Sequence, residues 1–137
     1  MRGVHAAKVA DRAGFLASKE GVLAPLDFKQ SINKSLQGQS WRPSDAVKLA
    51  VPQIAENGAI VPITVESLLP DTRRVLIFAE KNPNPLLAEF KSEPAIDAWI
   101  SLRVKLKESG PVVAVVESGG RYYGVKALVR VMQGGCG

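Results

Sequence analysis

The sequence predicts a mainly β fold: an immunoglobulin-like antiparallel β-sandwich with a short N-terminal helical segment and a flexible C-terminal arm. Three observations carry that expectation. After Trp41-Arg42-Pro43, about seven short apolar runs either alternate with period two or stay apolar throughout. Turn signals rich in Gly, Pro, Asn and Asp separate them at close spacing, as in Glu56-Asn57-Gly58, Leu69-Pro70-Asp71 and Ser118-Gly119-Gly120. Helical patterning is confined to the first part of the chain. The expected division is a helical segment at 1–40, a sandwich at 41–133 and an arm at 134–137.

Residues 4 to 37 read as helical. Ala6, Ala7, Ala10, Ala13 and Ala17 give the first part good helix propensity, interrupted by Gly14 and closed near Gly21. After Pro25, Phe28, Ile32 and Leu36 recur every four residues on one face, and Gly38 is the expected stop. Strands then follow. Val47 to Val51 is a short one ended by Pro52, and Ile60 to Leu68 places Val61, Ile63 and Val65 on one face. Pro62 on the other face points to an edge or to the strand's beginning.

Arg74 to Glu80 sets Val75, Ile77 and Ala79 against Leu76 and Phe78. Asn82-Pro83-Asn84-Pro85 is irregular because neither proline has an amide donor, and Leu86 to Phe90 is the next short strand. Trp99 to Lys107 alternates most cleanly, with Ile100, Leu102, Val104 and Leu106 against Ser101, Arg103, Lys105 and Lys107. Glu108-Ser109-Gly110-Pro111 turns the chain into Val112–Val116, apolar on both faces and so central. A hairpin at Ser118-Gly119-Gly120 leads to Arg121–Val131, with Tyr123, Val125, Ala127, Val129 and Val131 on one face.

Composition narrows function mainly by exclusion. The net charge is +5, but the basic residues are scattered, with Arg73-Arg74 and Arg103, Lys105, Lys107 the densest groups. Aromatics make up 6% of the chain, so no stacking platform for nucleic-acid bases is visible, and a solvated basic surface is expected. No run reaches the ~20 apolar residues of a membrane span. His5 is the sole histidine and sits at the start of the chain, which argues against a Ser-His or Cys-His pair, and a zinc or copper site would need a cluster of His, Cys and carboxylate ligands that the chain does not contain. No phosphate-binding loop or dinucleotide fingerprint occurs, and no cofactor is expected. Glu56, Glu66 and Asp71 read as surface acids, and Tyr122 and Tyr123 as one core and one surface residue of a strand.

What remains is Gly134-Gly135-Cys136-Gly137. Cys136 is the only cysteine, so no internal disulfide, and no disulfide-and-tryptophan signature of an antibody domain, is possible. Flanking glycines strip away neighbouring side chains and free the backbone, so the thiol sits on a thin tether reaching about 15 Å, at about 3.5 Å per residue. A thiol of ordinary pKa is a few per cent thiolate at pH 7. That suffices for exchange with a partner that supplies the oxidant, and a bare arm can carry a covalent group into a narrow channel. Three readings follow: a covalent carrier, an immunoglobulin-like interaction module with an incidental thiol, or a one-cysteine oxidoreductase. The last requires a lowered Cys136 pKa.

The chain resembles the SoxY family, sulfur-carrier subunits of the bacterial Sox system for thiosulfate oxidation. The resemblance rests on Gly134-Gly135-Cys136-Gly137 and on Ala55-Glu56-Asn57-Gly58-Ala59-Ile60-Val61-Pro62-Ile63-Thr64-Val65. Glu80-Lys81-Asn82-Pro83-Asn84-Pro85-Leu86 is the third matching stretch. The familiar tail ends Gly-Gly-Cys-Gly-Gly, whereas one glycine follows Cys136 here. The resemblance implies a non-enzymatic carrier in a heterodimer with a SoxZ-like subunit. Cys136 would be the covalent attachment point, and Gly134, Gly135 and Gly137 the flexible arm. It further implies transient partners: the haem protein SoxAX, which joins thiosulfate to the cysteine as an S-thiosulfonate; the sulfate hydrolase SoxB; and, where present, the sulfur dehydrogenase SoxCD. Neither nucleic acid nor membrane is an expected partner. A periplasmic mature form is implied, with the export signal not in this chain.

Overall fold

The computed structural model describes residues 4–9, 15–17 and 23–132. Its main sheet is built around β8 (Thr72–Ala79) and β11 (Gly110–Ser118), which pair antiparallel from Val112↔Ala79 to Val116↔Val75 and on to Ser118↔Thr72. β9 (Leu86–Ala95) flanks β8, and β12 (Arg121–Val131) flanks β11. The β11–β12 hairpin turns at Gly119 and Gly120, with φ of 58° and 77°. Two consecutive left-handed residues match the twist of the flanking strands and favour glycine. Two short segments, β4 (Trp41–Pro43) and β6 (Ile54–Ala55), add to the outer edge of β12 in parallel.

The second sheet has the order β10 (Ala98–Val104), β7 (Val61–Ser67), β5 (Val47–Ala50), all antiparallel. Together the two sheets form an immunoglobulin-like sandwich, as the alternation predicts. Val61, Ile63, Val65 and Ile100 from the second sheet meet Val75, Ile77, Val112, Ala114, Val116 and Val129 from the first. Pro62 is tolerated in β7 because β5 pairs only with Thr64–Ser67, leaving the ladder open beside the proline on that side.

The outer face of the first sheet carries its own smaller core. Leu76 and Phe78 of β8, Leu86 of β9, Val113 and Val115 of β11 and Tyr122 of β12 are buried there under Leu36, Phe28, Ile32 and Trp41. This explains why β8 and β11 are apolar on both faces: one face meets the second sheet, the other a helix. That helix, α1 (Phe28–Ser35), is the run with apolar residues every fourth position. Asp27 caps it by accepting from the Gln30 amide at 2.8 Å while the Gln30 side chain accepts from the Asp27 amide at 3.1 Å. Left-handed Gln37 and Gly38 end it, with the Gly38 amide donating to Asn33 O at 2.8 Å.

The alanine-rich first part corrects the expectation of a helical segment at 1–40. Val4–Val9 (β1) is a strand pairing antiparallel with β9 from Val4↔Ser92 to Val9↔Ala88, and Phe15–Ala17 (β2) pairs with Leu23–Pro25 (β3). Helix propensity separates residue types by only tenths of a kcal/mol, whereas the free edge of β9 offers a full row of backbone donors and acceptors. The edge wins. β1 thus belongs to the sandwich, and the sole helix among the described residues is α1.

Candidate functional site

Gly134, Gly135, Cys136 and Gly137 lie outside the described residues. What the structure places is the platform from which they leave. β12 ends at Val131, and its last residues are held by hydrogen bonds to their main chain on both edges. On one edge, the Arg130 amide donates to Gln53 O at 3.0 Å and the Met132 amide to Ala55 O at 2.9 Å. On the other, Ser109 Oγ accepts from the Val131 amide at 2.8 Å and lies 3.4 Å from Val131 O. The described backbone is therefore fixed to within two residues of Gly134.

The two internal stretches that carry the family resemblance converge on this platform. In the first, Asn57 Oδ1 accepts from the Ala59 amide at 2.9 Å, shaping the turn. Gly58 O then accepts from the Leu106 amide at 2.7 Å, and Ala55 O holds Met132. In the second, the Asn82 side chain donates to Lys105 O at 2.7 Å and accepts from the Lys107 amide at 2.9 Å. The Glu80 amide donates to Pro111 O at 3.0 Å, and the Glu80 carboxylate lies 3.4 Å from Lys126 Nζ. Both stretches clamp the segment 105–111 against the sandwich, and that segment supplies Ser109. Three regions far apart in sequence thus build one arm root.

Beside the root, Gln53, Ile54, Leu128 and Arg130 line a groove of about 260 Å³. Ile54, Leu128 and Met132 are 55%, 66% and 68% exposed, which is high for large apolar side chains. The groove does not follow from the alternation on the buried face of β12. The available signal is on the other face, where Leu128 stands between Lys126 and Arg130 instead of a third polar residue.

At the other end of β12 the same sheet face is closed. Arg74 projects from β8 beneath α1, where its Nε meets Glu89 Oε2 at 3.0 Å and its Nη1 meets Glu117 Oε1 at 3.4 Å. Nη1 also donates to Tyr122 Oη at 3.0 Å, and Nη2 to Ser35 O at 3.0 Å. Burial is the largest influence on this guanidinium and opposes its charge. Glu89, Tyr122 and Glu117 together outweigh it and raise the pKa above the ordinary arginine value. Arg74 is thus a partly buried structural cation, which corrects the reading of Arg73-Arg74 as basic surface; Arg73, paired with Asp71 at 3.1 Å, is exposed.

Tyr122 is buried under α1 while Tyr123 packs, half-buried, on the core between the sheets, so neither is a plain surface residue. Of the three acids read as surface groups, Glu66 shares a hydrogen bond with Asp97. That bond first, then desolvation and the Asp97 charge, hold its carboxyl above the usual range against the pull of Lys48. Among the described residues no group of His, Cys, Asp and Glu is placed to hold a metal ion.

Comparison with known proteins places this architecture. The sequence model of the family described as SoxY, sulfur oxidation protein SoxY, matches residues 32–136. Among solved structures, the sulfur carrier protein SoxY from Chlorobium limicola f thiosulfatophilum is similar at 33% identity. It covers 74% of this chain and 88% of that one, with a TM-score of 0.69. The superoxide reductase (neelaredoxin) of Ignicoccus hospitalis is similar at 13% identity, covering 72% of this chain and 97% of its own, with a TM-score of 0.52. At that identity the likeness is one of fold alone. No curated protein matches the sequence.

Proposed function

The chain belongs to the SoxY family, and on that premise we propose that it is a covalent carrier of thiosulfate-derived sulfur, with Cys136 as the attachment point. The observation that carries the reading is the extent of the family match, which runs to residue 136 and so takes in the lone cysteine. The rooted end of β12 supports it: from Met132, four further residues give Cys136 a reach of about 14 Å at about 3.5 Å each. A fixed root and a bare tether are what delivery into another protein's active site requires.

The chemistry balances as follows. The Cys136 thiolate and thiosulfate form one S–S bond and release two electrons, which a haem partner of the SoxAX kind accepts. The product is a cysteine S-thiosulfonate, still an anion. Water then attacks the terminal sulfonate sulfur in a SoxB-type active site, releasing sulfate and two protons and leaving a persulfide on Cys136. A sulfur dehydrogenase of the SoxCD kind, where present, oxidises that sulfane sulfur. This chain contributes the nucleophilic sulfur and its mobility, with the catalytic groups supplied by partners. The proposal includes a SoxZ-like subunit as the stable partner and the periplasm as the compartment.

The test is intact-protein mass spectrometry after thiosulfate turnover with SoxAX, SoxB and SoxZ, with and without reductant. A reductant-labile sulfur adduct on the C-terminal peptide is expected, and Cys136→Ser should abolish both adduct and turnover. Full thiosulfate oxidation by Cys136→Ser would sink the carrier reading.

A further inference from the structure

We infer that Asn57 is a site of spontaneous deamidation and isomerisation, and that its conversion to isoaspartate detaches the turn at Asn57–Ile60 from the Leu106 amide. The chain has four asparagines, and Asn57 is the one placed for the reaction. The nucleophile has to be the amide nitrogen of the following residue. Asn82 and Asn84 are each followed by proline, whose nitrogen has no hydrogen to give up. Asn33 lies inside α1, where the following Lys34 amide belongs to the helix ladder. Asn57 is exposed and is followed by Gly58, which has no Cβ to obstruct the approach.

The turn supplies the rest. Asn57 Oδ1 accepts from the Ala59 amide at 2.9 Å, and the ring of atoms closed by that bond contains both Asn57 Cγ and the Gly58 nitrogen. The Gly58 amide makes no hydrogen bond with a described residue, so none has to break before it loses its proton. As the nitrogen attacks Cγ, negative charge gathers on Oδ1, where the Ala59 N–H already donates. One N–C bond forms, the Cγ–Nδ2 bond breaks, and ammonia leaves with the proton that Gly58 gives up. Water then opens the cyclic imide at either carbonyl, giving aspartate or isoaspartate, and no oxidant or reductant takes part. Isoaspartate routes the main chain through Cβ and lengthens it by about 1.5 Å. The added length falls between two anchors, Ala55 O on the Met132 amide at 2.9 Å and Gly58 O on the Leu106 amide at 2.7 Å. Ala55 is held as well by the β6–β12 ladder, so the Gly58–Leu106 bond is the one that yields.

The test ages the full chain in warm, mildly alkaline buffer, which favours loss of the Gly58 amide proton. Peptide mass spectrometry locates each amide-to-acid conversion, and methyl transfer by protein isoaspartate methyltransferase counts the isoaspartate. Conversion at Asn57 should outpace that at Asn33, Asn82 and Asn84, and Gly58→Ala should remove most of it. Hydrogen exchange then compares the aged chain with Asn57→Asp, which keeps the Oδ1 acceptor and adds the charge without the extra carbon. The Leu106 amide should exchange about fivefold faster in the isoaspartate form and at the wild-type rate in Asn57→Asp. Conversion at Asn57 no faster than at Asn33 overturns the proposal, as does an equal Leu106 exchange rate in the aged chain and in Asn57→Asp. Either failure leaves the carrier reading standing, since that reading is decided by enzymatic loading of Cys136.

Discussion

β12 crosses two environments on a single face. At its start, Tyr122 and Gly124 lie under α1 and Trp41, with Arg74 tying β8 to Glu89, Glu117, Tyr122 and Ser35. At its end, Lys126, Leu128, Arg130 and Met132 face outward, and the strand is held through its backbone by Gln53, Ala55 and Ser109. The closed end is fixed by side chains that leave no surface to spare. The open end is fixed through the main chain of β12, and of its outward side chains Lys126 pairs with Glu80 while Leu128 and Met132 stay exposed. The division puts side-chain packing where the sheet face is closed and main-chain bonding where it is open.

The largest expected effect lies in the closed end. Arg74→Met keeps length and apolar packing but strands Glu89 and Glu117, whose side chains are 10% and 22% exposed, without their cation. Removing one partner of such a network costs about 3 kcal/mol, because the remaining charges stay desolvated. Chemical denaturation should show that loss as a lower midpoint with an unchanged slope. Because the pKa of Arg74 is raised on folding, its contribution is complete below the ordinary arginine value and is lost only as pH rises through the folded value. The loss should therefore be the same at pH 7 and pH 9. A loss below 1 kcal/mol would mean the closed end is held by its apolar contacts alone.

A smaller effect is expected at the boundary. A Cβ on Gly124 would meet Ala114 O at 2.7 Å and the Trp41 ring at 2.9 Å. The carbonyl belongs to the centre of β11, so relieving that contact displaces backbone, and Trp41 has to move as well. Gly124→Ala should cost about 1–3 kcal/mol, the usual range for overpacking. The intrinsic fluorescence of Trp41 should change with it. Should Gly124→Ala prove neutral, the close approach of β4 to β12 is not what seals this end.

Much of this was legible in the sequence. Alternation in β7 and β10, and the doubly apolar β8 and β11, follow from burying one or both faces, so local pattern and global fold agree. The first part of the chain was not legible, because the competitor to its alanine-rich helix is the edge of β9, some eighty residues away. Arg74 was misjudged for a related reason. Its partners Glu89, Glu117 and Tyr122 come from three other strands, and nothing near Arg73-Arg74 signals burial. At the candidate site, the tail could be read directly, whereas its root could not. Ser109, Ala55 and Val131 are unremarkable residues whose only link is the register that brings them together.

The smallest effect tests the open end, and it separates backbone pinning from packing. Ser109 is exposed, and its hydroxyl accepts from the Val131 amide at 2.8 Å. In Ser109→Ala that amide turns to water, which can satisfy it, so global stability should fall by no more than about 1 kcal/mol. The local consequence should be more visible. Hydrogen exchange at Val131 should quicken by about fivefold, the equivalent of about 1 kcal/mol of local opening, while Leu76 and Val115 in the closed end keep their protection. A looser root spreads the positions available to the arm and lowers the effective concentration of its thiol at any target site. Transfer to a partner enzyme should then slow even though the fold is intact. If Ser109→Ala lowered protection at Val115 as much as at Val131, the two ends would be one cooperative unit, and the contrast between them would not exist in solution.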